Sequence, residues 1–275
     1  MHIAGGIFLI SSAISCTAPQ NNKEALADTR PTLTVSVEPL RNIAEQVAGN
    51  AWRVTTLVPK GGNPETYEPT AAQLTALSQS KAYFLVGNLG FETAWSYKLQ
   101  HITPNVTFIP LVPATQHSDP HIWTSPSTLK LVAQRICNTL CQIDSTQTNT
   151  YKANLKTAVA RLNTLDTKLH TLLDTIPHKA FLIYHPSLTH FARDYGLKQI
   201  AVENNGKEPT PRQLANLVEQ CKALNIQTIF IQKEFNTHNA QLIAAETKAH
   251  LEVINPLAYD YEQQLLHIAQ ILHNQ

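Results

Sequence analysis

The sequence has almost no net charge. Its 21 basic and 20 acidic residues leave a formal charge of +1 over 275 residues. A balance of this kind provides neither the electrostatic footprint of a nucleic-acid-binding protein nor a polybasic patch for a membrane surface. We therefore expect no nucleic-acid partner.

Cysteine is also scarce, with four residues and no CxxC pair in the chain. The missing pairs argue against a zinc site built from thiolates. Cys137 and Cys141 lie four residues apart in a segment of helical pattern, a spacing that rarely suits a disulfide. Both are expected to be buried and to pack as small apolar side chains.

The sequence contains no apolar run long enough to cross a bilayer, which takes about 20 residues. Residues 3–15 are uncharged, mostly apolar or small, and end at Cys16. This pattern is typical of a signal peptide, and small residues before a cysteine resemble the lipobox of bacterial lipoproteins. We predict a signal peptide over residues 1–16 with Cys16 as the candidate lipidation site, and a linker over residues 17–31.

What the sequence does contain is a regular alternation of strand and helix patterns from residue 32 onward. The alternation predicts an α/β fold with parallel sheets. A stripe of leucines at spacings of three and four predicts one long helix in the middle of the chain. The predicted organisation is two α/β lobes, over residues 32–145 and 178–275, joined by a rigid connecting helix over residues 146–177.

Three loops that follow predicted strands carry side chains able to bind a metal. Glu65 lies in the first loop, His121 in the second between Pro120 and a later proline, and His185 in the third, directly before Pro186. Proline stiffens the backbone on either side of it, so these loops should hold their imidazoles in place. A neutral, fixed imidazole is a good ligand for a divalent transition metal.

Four strings in these loops and near the end of the chain resemble the motifs of one protein family. They are GGNPETYEPT (residues 61–70), DPHIWTSP (119–126), YHPSLTHFARDYGL (184–197) and INPLAYDY (254–261). In this order they are similar to the motifs of the metal-binding solute receptors of bacterial ABC importers, the zinc and manganese family of cluster A-I (ZnuA/TroA-like). The resemblance covers residues 32–273.

The resemblance implies a metal site formed by Glu65, His121, His185 and Asn255. Glu65 stands where the family has a histidine, and Asn255 stands where it has an aspartate. An asparagine is neutral and binds a metal only through its amide oxygen, so Asp260 is the substitute expected to supply a carboxylate. The carboxylates of two further residues, Glu203 and Glu234, stay open as alternatives.

The resemblance further implies a non-enzymatic, monomeric receptor that captures Zn²⁺, or Mn²⁺ or Fe²⁺, between its lobes. Its partners would be an ABC permease and its ATPase, and it would act in the periplasm or at the outer face of the cytoplasmic membrane, held there only by a lipid anchor at Cys16. A metal-dependent hydrolase is an alternative, since two histidines and a carboxylate can leave a coordination position for water. The sequence has no HExxH motif and no nucleophile elbow to support it. A metal-binding surface adhesin on the same scaffold is a third possibility.

Overall fold

The computed structural model describes residue 2 and residues 28–112, 119–203, 206–235 and 238–275. The predicted signal peptide with Cys16 and most of the predicted linker lie outside the described part of the chain. Among the helices that are described, none combines the length and the apolar character needed to cross a membrane.

The first lobe contains a four-stranded parallel sheet in the order β2-β1-β3-β4. Its strands consist largely of buried residues, as expected for parallel strands that are covered by helices. They are β1 (Thr32–Val35), β2 (Arg53–Thr56), β3 (Ser80–Leu85) and β4 (Thr107–Pro110).

The second lobe repeats this arrangement with the strand order β6-β5-β7-β8, again all parallel. The strands are β5 (Ala180–Ile183), β6 (Lys198–Ala201), β7 (Thr228–Gln232) and β8 (His250–Ile254). The predicted fold class of two parallel α/β lobes is confirmed.

Nine helices occur in the described part of the chain. They are α1 (Glu38–Ala48), α2 (Ala71–Ser78), α3 (Gly90–Ile102), α4 (Pro126–Ile143), α5 (Thr148–Leu173), α6 (Thr189–Asp194), α7 (Pro211–Ala223), α8 (His238–Thr247) and α9 (Tyr261–His273). Local sequence explains several of their ends. Thr70 and Thr210 each form a capping box with the glutamine three residues later, which fixes the start of α2 and of α7.

The long helix α5 has 26 residues, which corresponds to about 39 Å at 1.5 Å per residue. It packs against α1 and α4 of the first lobe and against α9 at the end of the chain. Its buried stripe includes Leu162, Leu165 and Leu169. These leucines belong to one hydrophobic core that also contains residues of both sheets, so α5 is built into both lobes rather than linking them flexibly.

The helix ends at Leu173, four residues before the predicted boundary at residue 177. Pro177 follows shortly afterwards, and a proline disfavours helical geometry in the residue before it. Lys179 Nζ donates hydrogen bonds to the carbonyl oxygens of Leu173 (2.5 Å) and Asp174 (3.0 Å), which satisfies acceptors left over at the helix end.

The two predicted helical cysteines lie on α4. Cys137 is buried, Cys141 is half-buried, and both are free thiols. Burial is the main cause that raises the pKa of Cys137 to about 11, so this thiol stays protonated and packs as a small apolar group, as the sequence predicts.

In each sheet the strand order reverses beside the first strand of the lobe. Open parallel sheets place ligand sites at such a reversal, outside the carboxyl ends of the strands. The loops after β2, β5 and β7, and the loop before α4, all lead to this region. The fold therefore brings distant loops to a single crevice between the lobes.

Candidate metal centre

A small cavity lies in this crevice and is lined by residues of both lobes, among them Glu65, His121, His185, Glu234 and Leu257. Its volume is about 20 Å³. One water molecule needs roughly 10–15 Å³ on this measure. The cavity therefore has room for a single ion or a water or two, and not for an organic molecule.

The loop between β2 and α2 holds Glu65 against the start of α3. The backbone N–H group of Glu65 donates to Asn63 Oδ1 (2.9 Å), and the N–H group of Phe91 donates to the carbonyl oxygen of Pro64 (3.0 Å). A Cβ atom on Gly90 would lie 2.8 Å from Glu65 Cα and closer still to its carbonyl oxygen. Glycine is required here because the two backbones touch.

The Glu65 carboxylate lies in an unusual environment for an acid. Its Oε1 atom is buried and has no hydrogen-bond partner among the described residues. A buried, unpaired carboxylate oxygen costs several kcal/mol unless a positive charge compensates it. The position of this oxygen in a cavity beside two imidazoles indicates a cation site.

His121 is fixed on the first-lobe side of the cavity. Its ring is 5.4 Å from that of the buried Trp123, edge to face. Asp119 Oδ1 lies 3.1 Å from His121 Nδ1 and also accepts its backbone N–H group at 2.9 Å. Burial of Asp119 favours its neutral form, but the hydrogen bonds from the ring and the backbone of His121 outweigh this and lower the Asp119 pKa to about 2. Asp119 is therefore a carboxylate that keeps the proton on Nδ1 and leaves Nε2 free.

His185 is fixed in the same way on the second-lobe side. Its Nδ1 lies 2.6 Å from Oε1 of the buried Glu203. Gln232 holds its backbone from both directions, donating to the His185 carbonyl oxygen (2.8 Å) and accepting its N–H group (3.3 Å). The ring of Phe235 stacks on the imidazole at 4.6 Å. The Nε2 atom is again the one that faces the cavity.

The two Nε2 atoms are only 3.1 Å apart. Two nitrogens on one tetrahedral zinc, each at about 2.0–2.1 Å, are separated by about 3.3 Å. Two lone pairs at such a distance repel each other unless a proton or a metal ion lies between them. One ligand atom each from Glu65, His121 and His185 lies within 4.8 Å of the other two. The structure thus brings together three of the residues predicted from the sequence.

The other two predicted ligands do not line this cavity. Asn255 Oδ1 accepts the N–H group of Leu257 (3.1 Å) and stabilises a turn. Asp260 is exposed and caps the N-terminus of α9, where its Oδ1 accepts the N–H group of Gln263 (3.0 Å). Each side chain therefore has a local structural role, and neither enters the ligand set that we propose below.

Contacts between the lobes tie the two histidine loops together beside the cavity. Asp194, at the end of α6, accepts hydrogen bonds from Ser125 (2.5 Å) and Ser127 (2.9 Å) at the start of α4. We call this group of three residues the interlobe clasp. In addition, His190 Nε2 lies 3.0 Å from the carbonyl oxygen of Asp119. Since α6 follows the His185 loop and α4 follows the His121 loop, these bonds fix the distance between the two imidazoles.

Some of these residues were not predicted from the sequence. His190 is buried and bonded across the lobe boundary, and its position on a helix gives no sign of this. Gly90 and Asp194 carry no local signal, because their partners come from distant segments of the chain. Glu203 was proposed as a ligand, and the structure places it behind His185 instead.

Comparison with known proteins finds similarity to metal-binding proteins. The profile of the family described as zinc-uptake complex component A, periplasmic, matches residues 33–274. A putative metal-binding protein of Treponema pallidum is 26% identical over 298 residues, covering 99% of this chain and 92% of that protein.

Two further proteins are similar over most of this chain. The zinc-binding lipoprotein AdcA of Streptococcus pneumoniae is 26% identical over 271 residues, which cover 89% of this chain and 53% of the longer relative. A crystal structure of ZnuA superposes with a TM-score of 0.85 and 36% identity, covering 89% of this chain and 98% of that one.

Proposed function

Since this chain belongs to the family of periplasmic zinc-uptake components, we propose that it captures Zn²⁺ through Glu65, His121 and His185. As a member of the family it is a solute-binding protein that takes up a divalent metal ion outside the cytoplasm and passes it to an ABC permease. The metal is its cargo, and the cavity between the lobes is the place that suits it.

The observation that supports this proposal is the meeting of three donor atoms from three loops and both lobes within 4.8 Å. Each imidazole has a carboxylate behind its Nδ1 atom, which is the arrangement that orients histidine ligands in metal sites. The Glu65 oxygen brings a negative charge that has no other partner. The small cavity then excludes larger ligands.

Zinc fits this donor set best. Two nitrogens and a carboxylate oxygen suit a tetrahedral ion, and zinc accepts these donors without a strong geometric preference of its own. Manganese and ferrous iron prefer more oxygen donors, although the carboxylate of Glu65 shifts the site towards them relative to a third histidine. We therefore rank zinc first and Mn²⁺ or Fe²⁺ second.

We further propose that the receptor acts as a monomer held at the outer face of the cytoplasmic membrane by a lipid on Cys16. The cysteine at the end of an apolar segment supports this anchor, as does the lipoprotein nature of the streptococcal relative. The permease and its ATPase are the proposed protein partners.

Hydrolysis is disfavoured by the size of the cavity. An active site needs room beside the metal for a substrate, and about 20 Å³ leaves space for little more than the ion. We therefore propose that the chain has no enzymatic activity. An adhesin on the same scaffold stays a prediction of the sequence alone.

Calorimetric titration of the metal-free chain from residue 17 onward tests the proposal. We expect one zinc site per chain, lost in both His121→Ala and His185→Ala. His101→Ala is the matched control, because this imidazole is exposed at the end of α3, and it should bind zinc like the unchanged protein. Zinc binding that survives in both cavity variants would exclude the proposed site.

A further inference from the structure

Among the residues that the structure describes, the proposed metal centre has three protein ligands. Zinc in proteins is almost always four-coordinate, and three donors are present. Two neutral imidazoles and one carboxylate also leave one positive charge of the ion without compensation. A second carboxylate would complete both the coordination number and the charge.

Glu234 is a carboxylate that lines the same cavity. It lies on the loop after β7 and is half-buried. No hydrogen bond or ion pair holds its side chain among the described residues, in contrast to Asp119 and Glu203, whose oxygens are engaged behind the two imidazoles. Glu234 is thus the acid beside the cavity that is free to move towards an ion.

The backbone on both sides of Glu234 is tied to His185. Gln232 grips the His185 main chain with two hydrogen bonds, and Phe235 stacks on its ring. These contacts fix the Cα position of Glu234 next to the metal centre and leave only its side-chain torsions free. Rotation about its three side-chain bonds would then change the direction of the carboxylate relative to the cavity.

We propose that Glu234 is the fourth zinc ligand, a carboxylate that turns onto the ion after the other three donors have bound it. The proposal rests on the proposed function, because it needs a metal held by Glu65, His121 and His185. It also gives a specificity role to Glu234, since two carboxylates and two imidazoles neutralise a divalent ion while a monovalent ion would leave excess negative charge.

Three variants test this proposal: Glu234→Gln removes the charge, Glu234→Asp keeps it but shortens the side chain, and Glu246→Gln is the control. Glu246 is exposed on α8 of the same lobe. Zinc affinity is measured by calorimetry, and the ligand field is measured from the visible absorption of Co²⁺ bound in place of zinc. Thermal melting of the metal-free variants checks that each one folds.

We expect both Glu234 variants to bind one zinc ion at least tenfold more weakly than the control, with altered Co²⁺ absorption bands. Affinity and spectrum equal to those of the control would overturn the proposal while leaving the receptor function intact. A loss of zinc affinity in Glu234→Gln but not in Glu234→Asp would also overturn the proposal. Zinc affinity would then depend on the negative charge near the ion and not on a carboxylate that binds it. Failure of the unchanged protein to bind zinc would overturn both this proposal and the proposed function.

Discussion

Replacing Gly90 by alanine should weaken metal binding although Gly90 touches no metal. The new Cβ atom would lie 2.8 Å from Glu65 Cα, whereas ordinary contacts of this kind begin near 3.4 Å. The nearest atoms belong to backbone and cannot rotate away, so the Glu65 loop has to move by roughly 1 Å. Metal–ligand distances tolerate only about 0.2 Å.

The magnitude follows from two separate costs. Overpacking of this kind destabilises a protein by about 1–3 kcal/mol, which lowers the melting temperature by about 2–10 °C in a chain of this size. Displacement of the Glu65 oxygen should weaken zinc binding by about 10- to 100-fold, the loss typical when support for a ligand is removed.

Calorimetry with zinc and thermal melting of the metal-free protein measure the two effects in Gly90→Ala. Thr93→Ala serves as the control, because this side chain is exposed one turn further along α3. If Gly90→Ala binds zinc as tightly as Thr93→Ala, the contact with α3 does not position Glu65, and the reasoning is refuted.

Three further predictions concern the surroundings of the site. Glu203→Gln should weaken zinc binding about tenfold, because the charge that orients the His185 ring is lost; unchanged affinity in calorimetry would contradict this role. Asp194→Ala removes the acceptor of two charge-assisted hydrogen bonds in the interlobe clasp, so we expect a loss of about 2–3 kcal/mol in the free energy of unfolding, measured by urea titration. Its control is Asp174→Ala, whose exposed pair with a histidine contributes about 0–1 kcal/mol, and equal losses in the two variants would argue against the clasp. Finally, zinc affinity should fall as the pH is lowered from 8 to 5, because protons compete with the metal for the ligand nitrogens. The pKa of Asp119 is lowered to about 2, so this carboxylate stays ionised over that range and should not add to the slope; calorimetry between pH 5 and 8 measures it, and a flat profile would contradict ligation by the imidazoles.

The alternation of strands and helices could be predicted from the sequence because hydrophobic periodicity is a local property. The long helix followed from its leucine stripe, with only its last turn misplaced. The strand orders β2-β1-β3-β4 and β6-β5-β7-β8 could not be predicted in this way, since they depend on pairing between segments far apart in the chain.

The same distinction between local sequence signals and contacts of distant segments applies to the metal centre. Glu65, His121 and His185 each lie in a loop with a recognisable motif, and the structure brings them together. The clasp was not visible, because Ser125 and Asp194 are 69 residues apart in sequence and neither is unusual for its surroundings. The expectation for Asp260 placed it by proximity to a motif, although an aspartate before a helix more often caps that helix.

The interlobe clasp has a consequence for release of the metal ion. Because the clasp holds the imidazoles side by side, little ordering remains to oppose capture, and affinity rises accordingly. The same arrangement means that release of the ion requires the two imidazoles to be separated. A movement of α6 away from the start of α4 would separate His185 from His121 and divide the ligands of the ion between the two lobes. A transporter that binds both lobes would therefore have to separate them. The contact of Ser125 and Ser127 with Asp194 is then the contact whose breaking releases the ion.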